Sequence, residues 1–508
     1  MDRQHLENQL QEDYRLLKEV EDELRDATNP LERNRLRRQK QTLERSIRDR
    51  QEQLERLLAP PDPPIPPPPK NFLYASLLIS TVGAVLVTAI RLFGLLQVPE
   101  LAVYDQFMLG RPDARPDDRL TLIEINDKDI TAQPPDQGTG SASLSDIALS
   151  DLLEKLKSYN PRTIGLDVYR QYPVFGYQKD SADILKKKQK LVDHYENNQK
   201  LIAICKVPDL NPPNPEDRDL EGTPPPEWFS SLKPAQPDRL PDKSFPLDRL
   251  SFSDFIKDQD GVLRRHLLKM DRNPNVKCQA EFAFSLRVAA HYLRRSPDDL
   301  ITQLSPWLQS HSGGYQDIDT RGVQLLLNYR KYAGSLNIIP DSQRISLSTF
   351  LSKPSGQASN LKKEIEGKII LIGITARQKS DNWTTPFSKK PEDTRGIYLQ
   401  AQMISQILSA IEGADGPNTE KRNTLWFLPQ WLDGLLILIS GLIGGLIAWY
   451  VKRPIIALIA LGVAVSVLIG LYVLAFSAFL WLPLVPSGLA MAIAGTSVIS
   501  YTRLQIRR

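Results

Sequence analysis

The chain has 508 residues, of which 24% are charged, and its formal net charge is +4. Its mean hydropathy of -0.31 is typical of a soluble protein, so any membrane-embedded part must be a minority of the mass. A net charge this small gives no reason to expect nucleic-acid binding. The five histidines lack metal-ligand spacing, and neither a Walker loop nor a nucleophile elbow occurs. We therefore expect no enzyme and no catalytic residues, and the composition leaves metals and cofactors open.

Residues 1–59 are predicted to form a helical hairpin. Leu10, Leu17 and Leu24 recur every seven residues, which is typical of a coiled-coil seam. Asn29-Pro30 interrupts the pattern, and this pair fits the cap and the first position of a second helix. Two such arms leave part of an apolar seam uncovered, so we expect self-association. A solvated helix pair without a partner is the alternative.

A proline-rich spacer and four apolar stretches complete the non-globular part of the chain. Residues 60–70 favour an extended polyproline segment. Residues 71–97, and three further segments within 431–503, are long and apolar enough to cross a bilayer as helices. Gly441 and Gly445 on the second span predict close helix packing. The alternative is that both glycines are merely tolerated in lipid.

The charges beside the apolar stretches predict the topology. Lys452 and Arg453 fill the link between the second and third spans, and Arg503 lies at the end of the fourth. Lys and Arg accumulate on the cytoplasmic ends of spans. This pattern predicts a cytoplasmic hairpin, a cytoplasmic tail at 504–508 and an extracytoplasmic region at 98–430.

The region 98–430 alternates between strand and helix patterns. Short apolar runs predict strands at 121–125, 163–166, 201–205, 324–327 and 368–373. Helical patterns lie at 145–159, 181–198, 280–293 and 396–411. An Asp260-Gly261 pair between apolar runs at 252–256 and 262–270 favours a hairpin. We predict an α/β fold with a mixed, mainly parallel sheet and helices on both faces.

Both cysteines of the chain, Cys205 and Cys278, fall in this region. An oxidising compartment would permit them to form a disulfide. The alternative is a pair of buried thiols.

Several short motifs follow one another between residues 98 and 415. They are Tyr104-Asp105, Arg111-Pro112, Asp118-Arg119, Asp127, Gly165-Leu-Asp167, residues 260–265, residues 367–373, residues 381–387 and the segment from Gly396. Their order, with three spans after them, resembles CHASE extracellular sensor domains of the second type. The resemblance implies a bacterial sensory domain, normally connected through its spans to a cyclase, a histidine kinase or a protein kinase. Only about seven residues follow the last predicted span, so we expect no catalytic output domain in this chain.

An acidic group provides the candidate binding site. Ligands of open α/β sheets gather outside the carboxyl ends of the strands, and several aspartates follow predicted strands. The candidate ligand-binding residues are Asp127, Asp167, Arg264, Asp381, Thr384 and Thr385. We expect the three aspartates to line one crevice with the threonines on its rim, and Arg264 is the candidate to compensate their charge. The alternative is structural, with aspartates that cap helices and turns or pair with arginines.

These observations predict a membrane-anchored extracytoplasmic sensor or accessory signalling subunit in a bacterial inner membrane. Its expected partners are the lipid bilayer, further copies of itself through the N-terminal helices and the spans, and a separate signalling protein. A structural envelope scaffold is the alternative, followed by an exported hydrolase.

Overall fold

The structure is a computed structural model that describes most of the chain. It covers residues 3–58, 70–133, 144–170, 174, 181–208, 222–230, 240–272, 275–309, 313–316, 321–353, 359–376, 382–388, 394–413 and 424–506. Residues 60–69 of the predicted spacer lie outside this set. The chain divides into two compact units, Met1–Leu73 and Tyr74–Arg508.

Helices and strands occur in the following order. The helices are α1 (Arg3–Asp26), α2 (Pro30–Leu58), α3 (Lys70–Leu92), α4 (Gln97–Leu109), α5 (Asp127–Thr131), α6 (Asp146–Lys157), α7 (Ala182–Asn197), α8 (Phe284–Leu293), α9 (Pro297–Leu304), α10 (Leu347–Ser352), α11 (Ser359–Ile365), α12 (Gly396–Glu412), α13 (Gln430–Tyr450), α14 (Pro454–Ser477) and α15 (Leu484–Ile506). The strands are β1 (Leu120–Ile125), β2 (Thr163–Asp167), β3 (Leu201–Cys205), β4 (Glu227–Trp228), β5 (Lys243–Ser244), β6 (Leu250–Phe252), β7 (Arg265–Lys269), β8 (Leu308–Gln309), β9 (Val323–Leu326), β10 (Arg344–Ser346), β11 (Ile369–Ile374), β12 (Trp426–Phe427) and β13 (Leu480–Trp481). The α/β domain below means residues 110–427, and α4 is named separately.

The first unit contains the predicted helical hairpin. Ser46 Oγ donates to Asp13 Oδ2 at 3.0 Å, and Arg50 pairs with the same carboxylate, so α1 and α2 run antiparallel. Asn29 Oδ1 accepts a hydrogen bond from the N–H of Leu31 at 3.0 Å, as expected of a helix cap. The buried apolar residues of this unit are Leu6, Ala27, Leu36 and Ile47.

The core of the α/β domain is a six-stranded sheet with the order β10-β1-β11-β2-β3-β6. Its strand pairs are all parallel. The predicted strands at 121–125, 163–166, 201–205 and 368–373 correspond to its four central strands, because runs of buried Ile and Leu are typical of a sheet covered on both faces. This confirms the predicted fold class.

The predicted hairpin around Asp260-Gly261 is not continuous. Phe252 ends β6 in the parallel sheet, whereas β7 pairs antiparallel with β9 in a separate three-stranded sheet. A single antiparallel bridge, Ile256 to Arg265, joins the two arms. Across the connecting turn, Asp258 N donates to the carbonyl of Val262 at 2.9 Å, and the buried carboxylate of Asp258 binds Arg264 and Arg265.

Four helices are long and apolar enough to cross a membrane: Phe72–Leu92, Gln430–Tyr450, Pro454–Ser477 and Leu484–Gln505. The second of these, α13, approaches its neighbours through glycines. A Cβ on Gly445 would lie 1.8 Å from Ser80 Oγ of α3, and one on Gly441 would lie 3.1 Å from the Cβ of Ala84. Small residues therefore allow α3 and α13 to pack at short range.

Cys205 and Cys278 form a disulfide, with their Cα atoms 5.4 Å apart. The bond joins the end of β3 to the segment that leads into α8. It closes a chain segment with a sequence separation of 73 residues.

Candidate functional site

Two acidic side chains flank the carboxyl edge of the parallel sheet. Glu124 of β1 and Asp167 of β2 are both in register with Gly373, which lies between them on β11. Residues in register on neighbouring parallel strands point to the same face, and two strand spacings amount to about 10 Å. Glu124 and Asp167 therefore face one side of the sheet across a glycine.

The first turn of α12 lies over this glycine. A Cβ on Gly373 would come within 2.6 Å of the Ile397 side chain, so the helix approaches the strand at a position that excludes a larger residue. The N-terminus of a helix carries a partial positive charge, which stabilises carboxylates beside it. The local fold therefore brings Glu124 and Asp167 to a favourable electrostatic position.

Tyr398 of α12 binds Glu124 directly, whereas Gln400 of α12 reaches Asp167 only through Ser253. Tyr398 donates from its hydroxyl to Glu124 Oε1 at 3.0 Å, and Arg344 Nε donates to the same oxygen at 2.8 Å. Burial and the charge of Glu124 raise the pKa of Tyr398 to about 12, so this hydroxyl keeps its proton at neutral pH. Arg344 compensates the charge of Glu124, and this half of the edge is an internal ion pair.

The other half of the edge has an unused acceptor. Ser253 Oγ donates to Asp167 Oδ1 at 2.7 Å, and Gln400 Nε2 donates to Ser253 Oγ at 2.9 Å. The second amide atom, Gln400 Oε1, is buried and has no hydrogen-bond partner among the described residues. Buried acceptors are usually paired, so Gln400 Oε1 is an exception at this edge of the sheet.

The structure describes two of the three predicted aspartates, Asp127 and Asp167. Asp127 opens α5 two residues beyond β1, next to the capping side chain of Asn126, which accepts from Lys128 N at 2.9 Å. It shares the carboxyl edge with Asp167 but belongs to the first turn of a helix. Asp381 lies outside the described residues, so the predicted three-aspartate crevice stays a prediction.

Arg264 belongs to a different group of charges. It donates to Asp105 at 2.7 Å through two nitrogens, to Asp258 at 3.0 Å and to Asp260 at 2.8 Å. Burial disfavours the charged guanidinium, but the hydrogen bonds that Arg264 donates to Asp105 and Asp260 outweigh this cost and raise the pKa of Arg264. The positive charge of Arg264 thus compensates Asp105, Asp258 and Asp260, not the carboxylates at the sheet edge.

The two threonines lie beside this ion network. The carbonyl of Thr384 accepts a hydrogen bond from Leu263 N at 2.9 Å, directly before Arg264. Thr385 is buried, and its hydroxyl lies 2.9 Å from Ser388 Oγ within a local turn. Thr385 therefore has a structural role in the turn.

A family model of the CHASE2 domain matches residues 82–446, which is well over half of the chain. The chain belongs to the CHASE2 domain family. CHASE2 domains are sensory domains, and the match extends beyond the resemblance noted at 98–415 into the first and second apolar helices. No curated protein matches the chain, and neither does any solved structure.

In this CHASE2 chain, α4 connects the α/β domain with the apolar helices. Tyr104 of α4 donates to the carbonyl of Leu327, next to β9. Its ring centre lies 5.8 Å from that of Phe476 and 5.1 Å from that of Trp481, both in or beside the turn between α14 and α15. Together with the bond from Arg264 to Asp105, these contacts hold α4 on two sides.

Sequence reasoning missed Glu124, Ser253, Tyr398 and Gln400. These residues lie inside strands and helices or next to a strand end, where polar side chains give no motif. Gly373 is the signal that could have indicated them, because a glycine within an apolar strand often marks the close approach of another chain segment.

Proposed function

We propose that this CHASE2 chain is a membrane-anchored extracytoplasmic sensor subunit. In this proposal a small polar ligand binds beside Asp167 and Gln400, and α4 passes the change in the α/β domain to the spans. The observation that carries the proposal is the double attachment of α4, through Asp105 to Arg264 and through Tyr104 to Trp481. A sensor needs such a rigid connection between its ligand-binding domain and its membrane helices.

Two independent features support four spans with the α/β domain outside. The link between α13 and α14 carries Lys452 and Arg453, as expected of a cytoplasmic connection. The uncharged turn between α14 and α15 packs through Trp481 against Tyr315 of the α/β domain, with ring centres 6.1 Å apart. This packing supports a topology in which the turn and the domain lie on one side of the membrane and the basic link lies on the other.

The output would leave through the N-terminal hairpin or through a separate signalling protein. The hairpin exposes Leu31 at 80% and Tyr14 at 46%, which favours self-association of the subunits. In this scheme a separate signalling protein supplies the catalytic output. This division of roles makes the chain an accessory signalling subunit rather than an enzyme.

The sheet edge offers acceptor oxygens, so we expect a ligand that donates hydrogen bonds. The test measures the melting temperature of the purified full chain with a panel of primary amines, amino acids and neutral sugars. A compound that stabilises the protein should lose its effect in Asp167→Asn and keep it in Asp271→Asn, a change at an exposed aspartate. Equal stabilisation of both variants would exclude the Asp167 site.

A further inference from the structure

Three charged residues are buried where the apolar helices meet α4. Arg91 ends α3, Asp433 lies in the first turn of α13, and Glu100 lies in the first turn of α4; each is at most 2% exposed. Arg91 Nη2 donates to Asp433 Oδ2 and to the carbonyl of Gly313, both at 2.6 Å. The pair therefore links two apolar helices to a loop of the α/β domain.

Glu100 joins the same group from α4. Its Oε1 accepts a hydrogen bond from Val485 N, in the first turn of α15, at 2.6 Å. Its Oε2 is buried and has no partner among the described residues. The chain is tightly packed there, since a Cβ on Gly314 would lie 3.0 Å from the Cβ of Glu100.

Few ionisable groups of the described chain surround Glu100. Arg91 faces it from α3, Asp433 from α13 and Tyr472 from α14. The Tyr472 hydroxyl is engaged with Ser487 Oγ at 3.0 Å. On α4 itself, the Tyr104 hydroxyl is bound to the carbonyl of Leu327. Arg91 is thus the one cation in this described group.

The charges of this group do not balance when both carboxylates are ionised. Arg91 contributes one positive charge, whereas Asp433 and Glu100 together contribute two negative charges. A buried charge without a counter-charge is strongly unfavourable, and a proton on one carboxylate removes the excess. Among the described residues, two acceptors of this group, Glu100 Oε2 and Asp433 Oδ1, and one donor, Arg91 Nε, have no hydrogen-bond partner, so the acceptors outnumber the donors that could serve them.

We propose that Glu100 is a proton-binding site that makes the junction between the sensor domain and the spans sensitive to acidity. With its proton, Glu100 leaves the group neutral and holds α4 to α15 through Val485. Without the proton, the cost of burying an uncompensated negative charge exceeds the gain from the stronger hydrogen bond of Val485 N–H to a carboxylate, so the packed junction is destabilised and the path from the α/β domain to the spans loosens. This inference is independent of the ligand site at Asp167.

The direction of the pH effect follows from burial. Burial raises the pKa of Glu100 to about 8; the Val485 N–H and the charge of Arg91 oppose the rise, and the charge of Asp433 adds to it. The folded protein therefore holds this proton more tightly than the unfolded chain, in which the ordinary pKa is 4.5. The stability that Glu100 contributes is complete below pH 4.5 and is lost as the pH rises to about 8.

The test measures the melting temperature of the full chain in lipid nanodiscs between about pH 5 and about pH 9. Glu100→Gln keeps an acceptor for Val485 N but buries no charge. We expect the wild type to lose stability with rising pH, Glu100→Gln to lack this component, and its advantage over the wild type to grow with pH. Glu366→Gln, at an exposed position, should retain the wild-type profile. Parallel profiles for the wild type and Glu100→Gln would overturn the proposal.

A second measurement applies if Glu100→Gln does not fold. Infrared spectra of the wild type should contain a protonated carboxyl band that disappears with a midpoint near the pKa of about 8. Asp433→Asn removes the neighbouring negative charge, so it should shift this midpoint to lower pH. A spectrum without the band at neutral pH, or a midpoint that Asp433→Asn does not lower, would overturn the assignment.

Discussion

Gly444→Ala should separate two of the apolar helices. A Cβ at this position would lie 2.2 Å from the carbonyl oxygen of Met491 and 2.9 Å from its carbonyl carbon. Both atoms belong to the backbone of α15, so no side-chain rotation relieves the contact. Carbon atoms normally rest about 3.5–4.0 Å apart, and α13 and α15 must therefore move apart by roughly 1 Å.

The expected cost of this overpacking is about 1–3 kcal/mol in the free energy of unfolding. Alanine favours a helix over glycine by up to about 1 kcal/mol, so the same change is neutral or stabilising where space is open. Gly462 of α14 provides that control, because a Cβ there meets no atom within 4 Å. The assay is thermal unfolding of both variants in the same detergent.

Equal unfolding temperatures of Gly444→Ala and Gly462→Ala would exclude close packing of α13 against α15 at Gly444. A second variant, Gly441→Leu with Gly445→Leu, addresses the other face of α13, where Ser80 and Ala84 of α3 are in contact. It should also lower thermal stability and change the oligomeric state. An unchanged unfolding temperature and an unchanged oligomeric state would mean that both glycines are merely tolerated in lipid and are not needed for helix packing.

Three further predictions concern the ion network, the topology and the hairpin. Arg264→Met should cost about 3–5 kcal/mol because it leaves Asp105 and Asp260 without their ion-pair partner and Asp258 with Arg265 alone, whereas Arg272→Met, at a half-exposed position, should change the free energy of unfolding little; equal effects in urea titrations would contradict this. Cysteines at Lys243 and Arg503 should react with an impermeant reagent from opposite sides of the membrane, and labelling of both in intact cells would refute the four-span topology. A fragment of residues 1–58 should dimerise in sedimentation experiments, and a monomeric, unfolded fragment would contradict the proposed self-association.

The parallel sheet could be predicted because its strands are buried on both faces. Residues 201–205 form β3 as predicted, β2 extends one residue beyond its predicted end, and β11 is shifted by one residue at both ends. Such runs depend on local hydrophobicity alone. The Asp260-Gly261 pair predicted the reversal of the chain but not that its two arms enter different sheets, because that depends on pairing with strands elsewhere in the chain, β3 for β6 and β9 for β7.

The binding site was harder to predict than the fold. Asp167 was found because it ends an apolar strand, but its neighbours Ser253 and Gln400 come from distant segments. Arg264 looked like a partner for the sheet edge because strand ends usually gather there. Its actual partner Asp105 lies 159 residues earlier in the chain, on a helix whose position no local pattern fixes.

The buried charges near the membrane also had a sequence signal that the hydrophobic pattern obscured. Arg91 and Asp433 lie at the ends of apolar helices, where a charge is easily interpreted as a flanking residue. Ionisable residues buried among such helices usually pair with one another and often have a function. Their pairing could be recognised only when α3 and α13 were brought side by side.

The central claim is that α4 connects ligand binding in the α/β domain to the spans and the hairpin. Hydrogen exchange of the full chain in nanodiscs, with and without a compound that stabilises the wild type but not Asp167→Asn, tests it most directly. Binding of the compound should change amide exchange within α4 (Gln97–Leu109) and α1 (Arg3–Asp26) as well as near Asp167. Protection confined to the sheet edge, with both helices unchanged, would contradict it.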